Sequence, residues 1–176
     1  ICYGDNIILD GDTSISGAGG VSIQWLPTID LDDPFTLQPV ADPLSTTVYT
    51  MQIMDSNACS WIGSMTLTVN PELSVDAGND SFVCFGESVQ LLADTSLHSG
   101  TPKLNFSWSP TLGLDTATIY NPLINFNSDT TRYIVTVTDA NICTAVDSIL
   151  IMVNPEIRVD AGIDTSGCLG DTAILR

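Results

Sequence analysis

The residues in this 176-residue chain whose type and spacing could do chemistry are its five cysteines. Cys59 and Cys143 stand 84 positions apart, Cys84 and Cys168 also 84, and Cys2 precedes Cys84 by 82. Thiols placed this regularly either hold a metal or close disulfides. There is no Cys-x-x-Cys pair and only one histidine, so zinc is the weaker reading and Cys2, Cys59, Cys84, Cys143 and Cys168 are read as disulfide formers. Pairing within a repeat, Cys2 with Cys59 and Cys84 with Cys143, is the default, and closing such loops stabilises by about 3–5 kcal/mol. A simple strand count argues against it. It sets Cys84 and Cys143 at opposite ends of their unit, whereas bridged Cα atoms lie within about 7 Å. The alternative is a bridge between neighbours, Cys2 to Cys143, with Cys84 awaiting the following copy and Cys59 the preceding one.

Carboxylates form a second constellation. Asp76-Ala-Gly-Asn79-Asp80 recurs as Asp160-Ala-Gly-Ile-Asp164, each shortly after Asn-Pro-Glu, and the Asp139/Asn141 turn is expected to face the first of them. Carboxylate, amide and backbone oxygens together are the ligand set of calcium. Asp76, Asn79, Asp80, Asp139, Asn141, Asp160 and Asp164 are therefore candidate ligands at the junctions between repeats. Aspartate, asparagine and glycine also dominate turns for local reasons, and both readings stand at this point. No cofactor is required.

Catalysis finds no support. His98, the one histidine, lies in a Ser/Gly/Thr-rich loop, and Lys103 follows Pro102 in a context not shared between copies. No Gly-x-Ser-x-Gly, His-Glu-x-x-His or phosphate-cradling loop is present, so the expectation is a protein that is not an enzyme. Twenty-one acidic residues against four basic ones give a net charge of −17. That balance repels nucleic acid and anionic lipid, whose binding needs Lys and Arg. No run approaches the roughly 18 apolar residues of a membrane span, so membrane insertion is not expected. Only 14% of residues are charged, and Thr, Ser, Asn and Asp fill the polar positions, a composition suited to an exported protein.

The elements that must position these groups repeat as well. Val69-Asn-Pro-Glu72 returns as Val153-Asn-Pro-Glu156, and Trp25-Leu-Pro as Trp108-Ser-Pro. A fixed period of this kind decides the architecture. The chain reads as a slice of a tandem array, with a module over 1–70 lacking its N-terminal strand, a complete one over 71–154, and the start of a third over 155–176. Strands are expected at 88–93, 105–108, 133–137 and 145–153, and in the earlier copy at 6–9, 22–25, 49–53 and 64–69. Period-two alternation, Thr/Val/Ile richness and frequent Gly, Pro, Asn and Asp predict an all-β fold of tandem immunoglobulin-like β-sandwich modules. Trp25, Trp108, Tyr49 and Tyr133 are assigned to the cores.

The order Cys-x-Gly-Asp/Glu, strand, Trp-x-Pro, Thr-Thr-x-Tyr, then Asp55-Ser-Asn57-Ala-Cys59 or Asp139-Ala-Asn141-Ile-Cys143, resembles the PKD-like and Ig-like repeats of giant surface adhesins of gliding bacteria, those of the SprB type. The resemblance implies type IX secretion, display on the bacterial cell surface, and adhesion, gliding motility or filament formation. Implied partners are neighbouring repeats of the same chain, lateral copies in a filament, and surface glycans or abiotic surfaces. It also brings in a short O-glycosylation pattern known in such bacteria, matched at Thr116, Thr130, Ser148 and Thr172. A second reading is a carbohydrate-binding accessory region of a secreted hydrolase, for which Trp61 is the free aromatic.

Overall fold

The computed structural model describes residues 1–12, 20–96, 103–125, 129–162, 166 and 168–170. Its strands are β1 (Ile7–Ile8), β2 (Ser22–Leu26), β3 (Val40–Ala41), β4 (Thr47–Met54), β5 (Ser60–Leu67), β6 (Val75–Asp76), β7 (Ser81–Val83), β8 (Ser88–Gln90), β9 (Asp94–Thr95), β10 (Asn105–Ser109), β11 (Leu123–Asn125), β12 (Thr131–Thr138) and β13 (Thr144–Val153). They form tandem immunoglobulin-like β-sandwich modules. In the first, β2-β4-β5 faces the pair β1-β3. In the second, β10-β12-β13-β7 faces β11-β8, with β6-β9 beside it. His98 and its loop, Asp164 and Thr172 lie outside the described residues.

Alternation in the sequence explains the cores. Along β12, Tyr133, Val135 and Val137 are buried while Arg132 and Ile134 are exposed. These side chains meet Trp108, Leu91, Ile124 and Ile151 in one cluster, and Leu9, Trp25, Ala41, Tyr49 and Leu67 form the other. Burying a large apolar side chain contributes about 1.5–3 kcal/mol. Each indole still needs a partner for its N–H: Trp25 Nε1 donates to the Thr36 carbonyl at 3.1 Å and Trp108 Nε1 to that of Ile119 at 3.0 Å. The two tyrosines differ. Tyr133 donates to the Leu112 carbonyl at 2.7 Å, whereas the buried Tyr49 hydroxyl has no partner among the described residues. Burial raises the pKa of both. The Asp30 and Asp42 carboxylates push Tyr49 further the same way, while a hydrogen bond with Thr131 opposes the rise at Tyr133.

Strand direction fixes where each cysteine can be. β7 runs parallel to β13, with Val83 opposite Val153 at the end of that strand, so Cys84 sits at one end of its module. Cys143 immediately precedes the start of β13, at the other end. Ten residues at about 3.4 Å each separate the ends by about 30 Å. The first module repeats the arrangement. The Asn70 N–H donates to the Ile1 carbonyl at 2.9 Å, placing Cys2 at the end of β5 and Cys59 at its beginning.

Candidate functional site at the joint between modules

A disulfide joins Cys2 to Cys143, with Cα atoms 5.5 Å apart and a sequence separation of 141. The pairing expected by default, Cys2 with Cys59 and Cys84 with Cys143, is thereby corrected: Cys59 and Cys84 are unpaired and exposed. The strand lengths give the reason, since no bridge spans the length of a sandwich. The end of the first module instead abuts the start of the second, where the two sulfurs meet.

Each partner is presented by a turn that its motif encodes. In Asp139-Ala-Asn141-Ile-Cys143 one carboxylate oxygen of Asp139 accepts the N–H of Asn141 at 2.8 Å and of Cys143 at 2.9 Å. The Asp139 N–H closes the hairpin onto the Cys143 carbonyl at 3.0 Å. Ile142 takes a positive φ of 68° to bring the chain round, a conformation uncommon for a β-branched residue. Asp55-Ser-Asn57-Ala-Cys59 repeats every one of these bonds, with Ala58 at φ 62°. On the other side, Cys2-Tyr-Gly-Asp5 is a turn in which Gly4 has φ 82°. The Cys2 N–H donates to the Asp5 carboxylate at 3.3 Å, and the Asp5 N–H to the Cys2 carbonyl at 3.1 Å. Cys84-Phe-Gly-Glu87 has the same form, its Glu87 carboxylate 3.0 Å from the Cys84 N–H.

Comparing the copies shows what the joint covers. Cys143 is 4% exposed and Asp139 5%, while the equivalent Cys59 is exposed and Asp55 half-buried. Asn70, from the repeated Val-Asn-Pro-Glu, points its amide at the Cys143 sulfur, 3.6 Å away, and its counterpart Asn154 is exposed. The asparagine was not singled out from the sequence as a contact residue, although its recurrence one repeat later was the available signal.

The connection itself has almost no slack. Asn70 is tied to the first module through its N–H. The Glu72 carbonyl accepts from Ser96 Oγ of the second at 3.2 Å, and Ser74 and Ser96 exchange further bonds at 3.0 and 3.1 Å. Only Pro71 lies between. Its ring fixes φ near −65° and restricts the residue before it.

The acidic candidates are engaged in the backbone. Asp76 accepts from the Gly78 N–H at 2.8 Å, Asp160 from that of Gly162 at 2.8 Å, and Asp80 from that of Leu150 at 2.8 Å, pinning 76–80 along β13. Asn79 and Asn141 are exposed. Among the described residues no three or more His, Cys, Asp or Glu side chains gather as a metal site. Thr116, Thr130 and Ser148 are the glycosylation candidates among the described residues. Thr130 is exposed, with its hydroxyl 3.3 Å from the Val153 N–H, while Thr116 and Ser148 are half-buried. Trp61 stands 59% exposed on β5. Among the described residues no helix is long and apolar enough to cross a membrane.

No family model and no curated protein matches the chain. Among solved structures, the PKD domain from KIAA 1837 protein is similar at 24% identity over 50% of this chain and 92% of that one, with a TM-score of 0.39. The insect immune protein hemolin is similar at 15% identity, covering 87% of this chain and 44% of that one, with a TM-score of 0.45. The C-terminal 282-residue fragment of intimin, solved in complex with an intimin-binding domain, is similar at 10% identity over 85% and 57%, with a TM-score of 0.49.

Proposed function

We propose that this chain belongs to the repeat region of a large secreted bacterial surface adhesin or extracellular filament, where its modules act as a stiff stalk or fibre for attachment or gliding. The modules are taken as 1–70 and 71–154, with a third beginning over 155–176. The observation that carries this reading is the joint: one residue of linker, anchored on both sides, and a disulfide across the same contact. Adjacent domains ordinarily move relative to one another unless their interface is large and apolar. A covalent staple at this position supports a role in transmitting length and load. A disulfide of this kind also fits an oxidising, extracytoplasmic setting, and the acidic surface suits an exported, soluble array. Partners in this reading are neighbouring repeats, lateral copies of the chain, and surface glycans or abiotic surfaces.

Spin labels on Thr50 of β4 and Thr136 of β12 test the stalk. The oxidised chain is expected to give one narrow inter-label distance distribution. A broad distribution spanning tens of ångströms would remove the stiff-stalk reading. Antibody labelling of intact source cells tests surface display, and its absence would remove that part.

A further inference from the structure

Each end of the chain carries one half of the joint that is complete in its middle. At the far end of the second module stand Cys84, unpaired and exposed, its turn braced by Glu87, and the exposed Asn154. These are the counterparts of Cys2, Asp5 and Asn70, which together receive the Cys143 hairpin. At the near end of the first module stands Cys59, also unpaired and exposed, on a hairpin bonded in the same way as that of Cys143. The contact uses different surfaces on its two sides, so it is heterologous and leaves an unmatched half at each end for a further module.

We propose that Cys84 and Asn154 form a docking site for the Asp-x-Asn-x-Cys hairpin of a further module of this kind, and that the array is stapled at every joint by overlapping disulfides. The proposal rests on the tandem-array reading above. Each bond forms as two thiols lose two protons and two electrons to an acceptor disulfide, which leaves as two thiols.

Two mechanical properties follow. A bridge encloses 141 positions while the cysteines recur every 82 to 84, so each loop opens before the previous one closes. A single backbone cut anywhere within the stapled region therefore falls inside at least one loop and leaves the array covalently whole. Tension is also diverted. Between Cys59, bonded backwards, and Cys84, bonded forwards, lie 25 positions that traverse two modules as β5, the linker, β6 and β7. Fully extended they reach about 85 Å. Two sandwiches, each about the length of a ten-residue strand plus its end turns, already occupy about 80 Å. The load path is strand from end to end with little left to pay out, so pulling cannot unravel the module bodies.

Two copies of the sequence fused in register, Gly167 of the first followed directly by Cys2 of the second, test the docking site. After refolding in a glutathione buffer, peptide mapping without reduction is expected to show Cys2–Cys143 in both copies. It should also show Cys84 of the first bonded to Cys59 of the second, a peptide pair absent from the parent chain. Full alkylation of both these thiols alongside intact Cys2–Cys143 bridges would overturn the proposal, while a narrow inter-label distribution in the parent would leave the stiff-stalk reading standing. Force spectroscopy on the parent chain, held at its ends, tests the diversion. Oxidised, the load path runs from Cys2 across the bridge to Cys143 and residue 176, so extension is limited to about 110 Å; reduced, it reaches about 600 Å. Equal extension in both states would overturn it.

Discussion

Replacing Cys143 by serine is expected to do more than loosen a joint: it should split one cooperative unfolding transition into two. The reason lies in where Asn70 sits. The last anchored residue of the first module contacts the bridge itself, so the disulfide and Asn70 divide the chain into two loops. One runs 68 positions from Cys2 to Asn70 and the other 73 from Asn70 to Cys143. If the first module unfolds while the second stays folded, the chain is still pinned at both ends of a loop of about 70 residues, and chain entropy disfavours this by about 4 kcal/mol. The second module unfolding alone meets the same constraint, again about 4 kcal/mol. Unfolding both together opens a single loop of 141 positions and is opposed by only about 5 kcal/mol in total.

The bridge therefore protects either module by about 4 kcal/mol until one opens, after which the other retains about 1 kcal/mol of that protection. A coupling of about 3 kcal/mol welds two sandwiches into one unfolding unit. Differential scanning calorimetry measures this directly. The oxidised chain should show one transition whose van 't Hoff enthalpy approaches the calorimetric enthalpy of both modules, the two-state criterion. The Cys143→Ser chain should show two transitions, with the weaker module's midpoint lowered by about 15–30 °C. Two separate peaks in the oxidised chain, or midpoints that move by less than about 3 °C on substitution, would refute the loop argument.

Three further outcomes follow from the cores and turns. Tyr133→Phe removes the bond to the Leu112 carbonyl and should cost about 1 kcal/mol, whereas Tyr49→Phe removes a buried, unpartnered hydroxyl and should be neutral or stabilising by about as much; equal losses in denaturant titrations would contradict this asymmetry. Both tyrosines are held above the ordinary value by burial, so the folded state binds their protons more tightly than the unfolded one. Stability is then unchanged by them below about pH 10 and falls as pH rises beyond it, and urea midpoints at pH 9 and 11 should differ in that direction, less so in the double Tyr→Phe chain. Ile142→Gly relieves a β-branched residue at φ 68° and should raise stability by about 1 kcal/mol with the disulfide intact; a loss of stability would show that the exposed side chain has a packing role.

Both sandwiches were legible because their signals are local and occur twice. Alternation at Tyr133, Val135 and Val137, the tryptophans two residues before their prolines, and the hairpin turns each declare themselves within a few positions. The cysteine pairing was harder to read, because the identity of a partner 141 positions away depends on strand direction. An intact motif does not say whether its end of the module points at its own partner or its neighbour's. The parallel pairing of β7 with β13 decides that, and short parallel contacts leave no alternation to read. The acidic turns are ambiguous for the opposite reason. Asp76, Asp139 and Asp160 have the composition of a cation site, but a carboxylate two residues before a backbone N–H closes on it locally, and the same letters write both outcomes. Comparing copies resolves part of this without any relative. Cys143 and Asp139 are buried at the joint, while the equivalent Cys59 is exposed and Asp55 half-buried. The difference between equivalent residues in one chain marks a contact that neither copy would reveal alone, and it points to the joint as the part of the repeat under the strongest physical constraint.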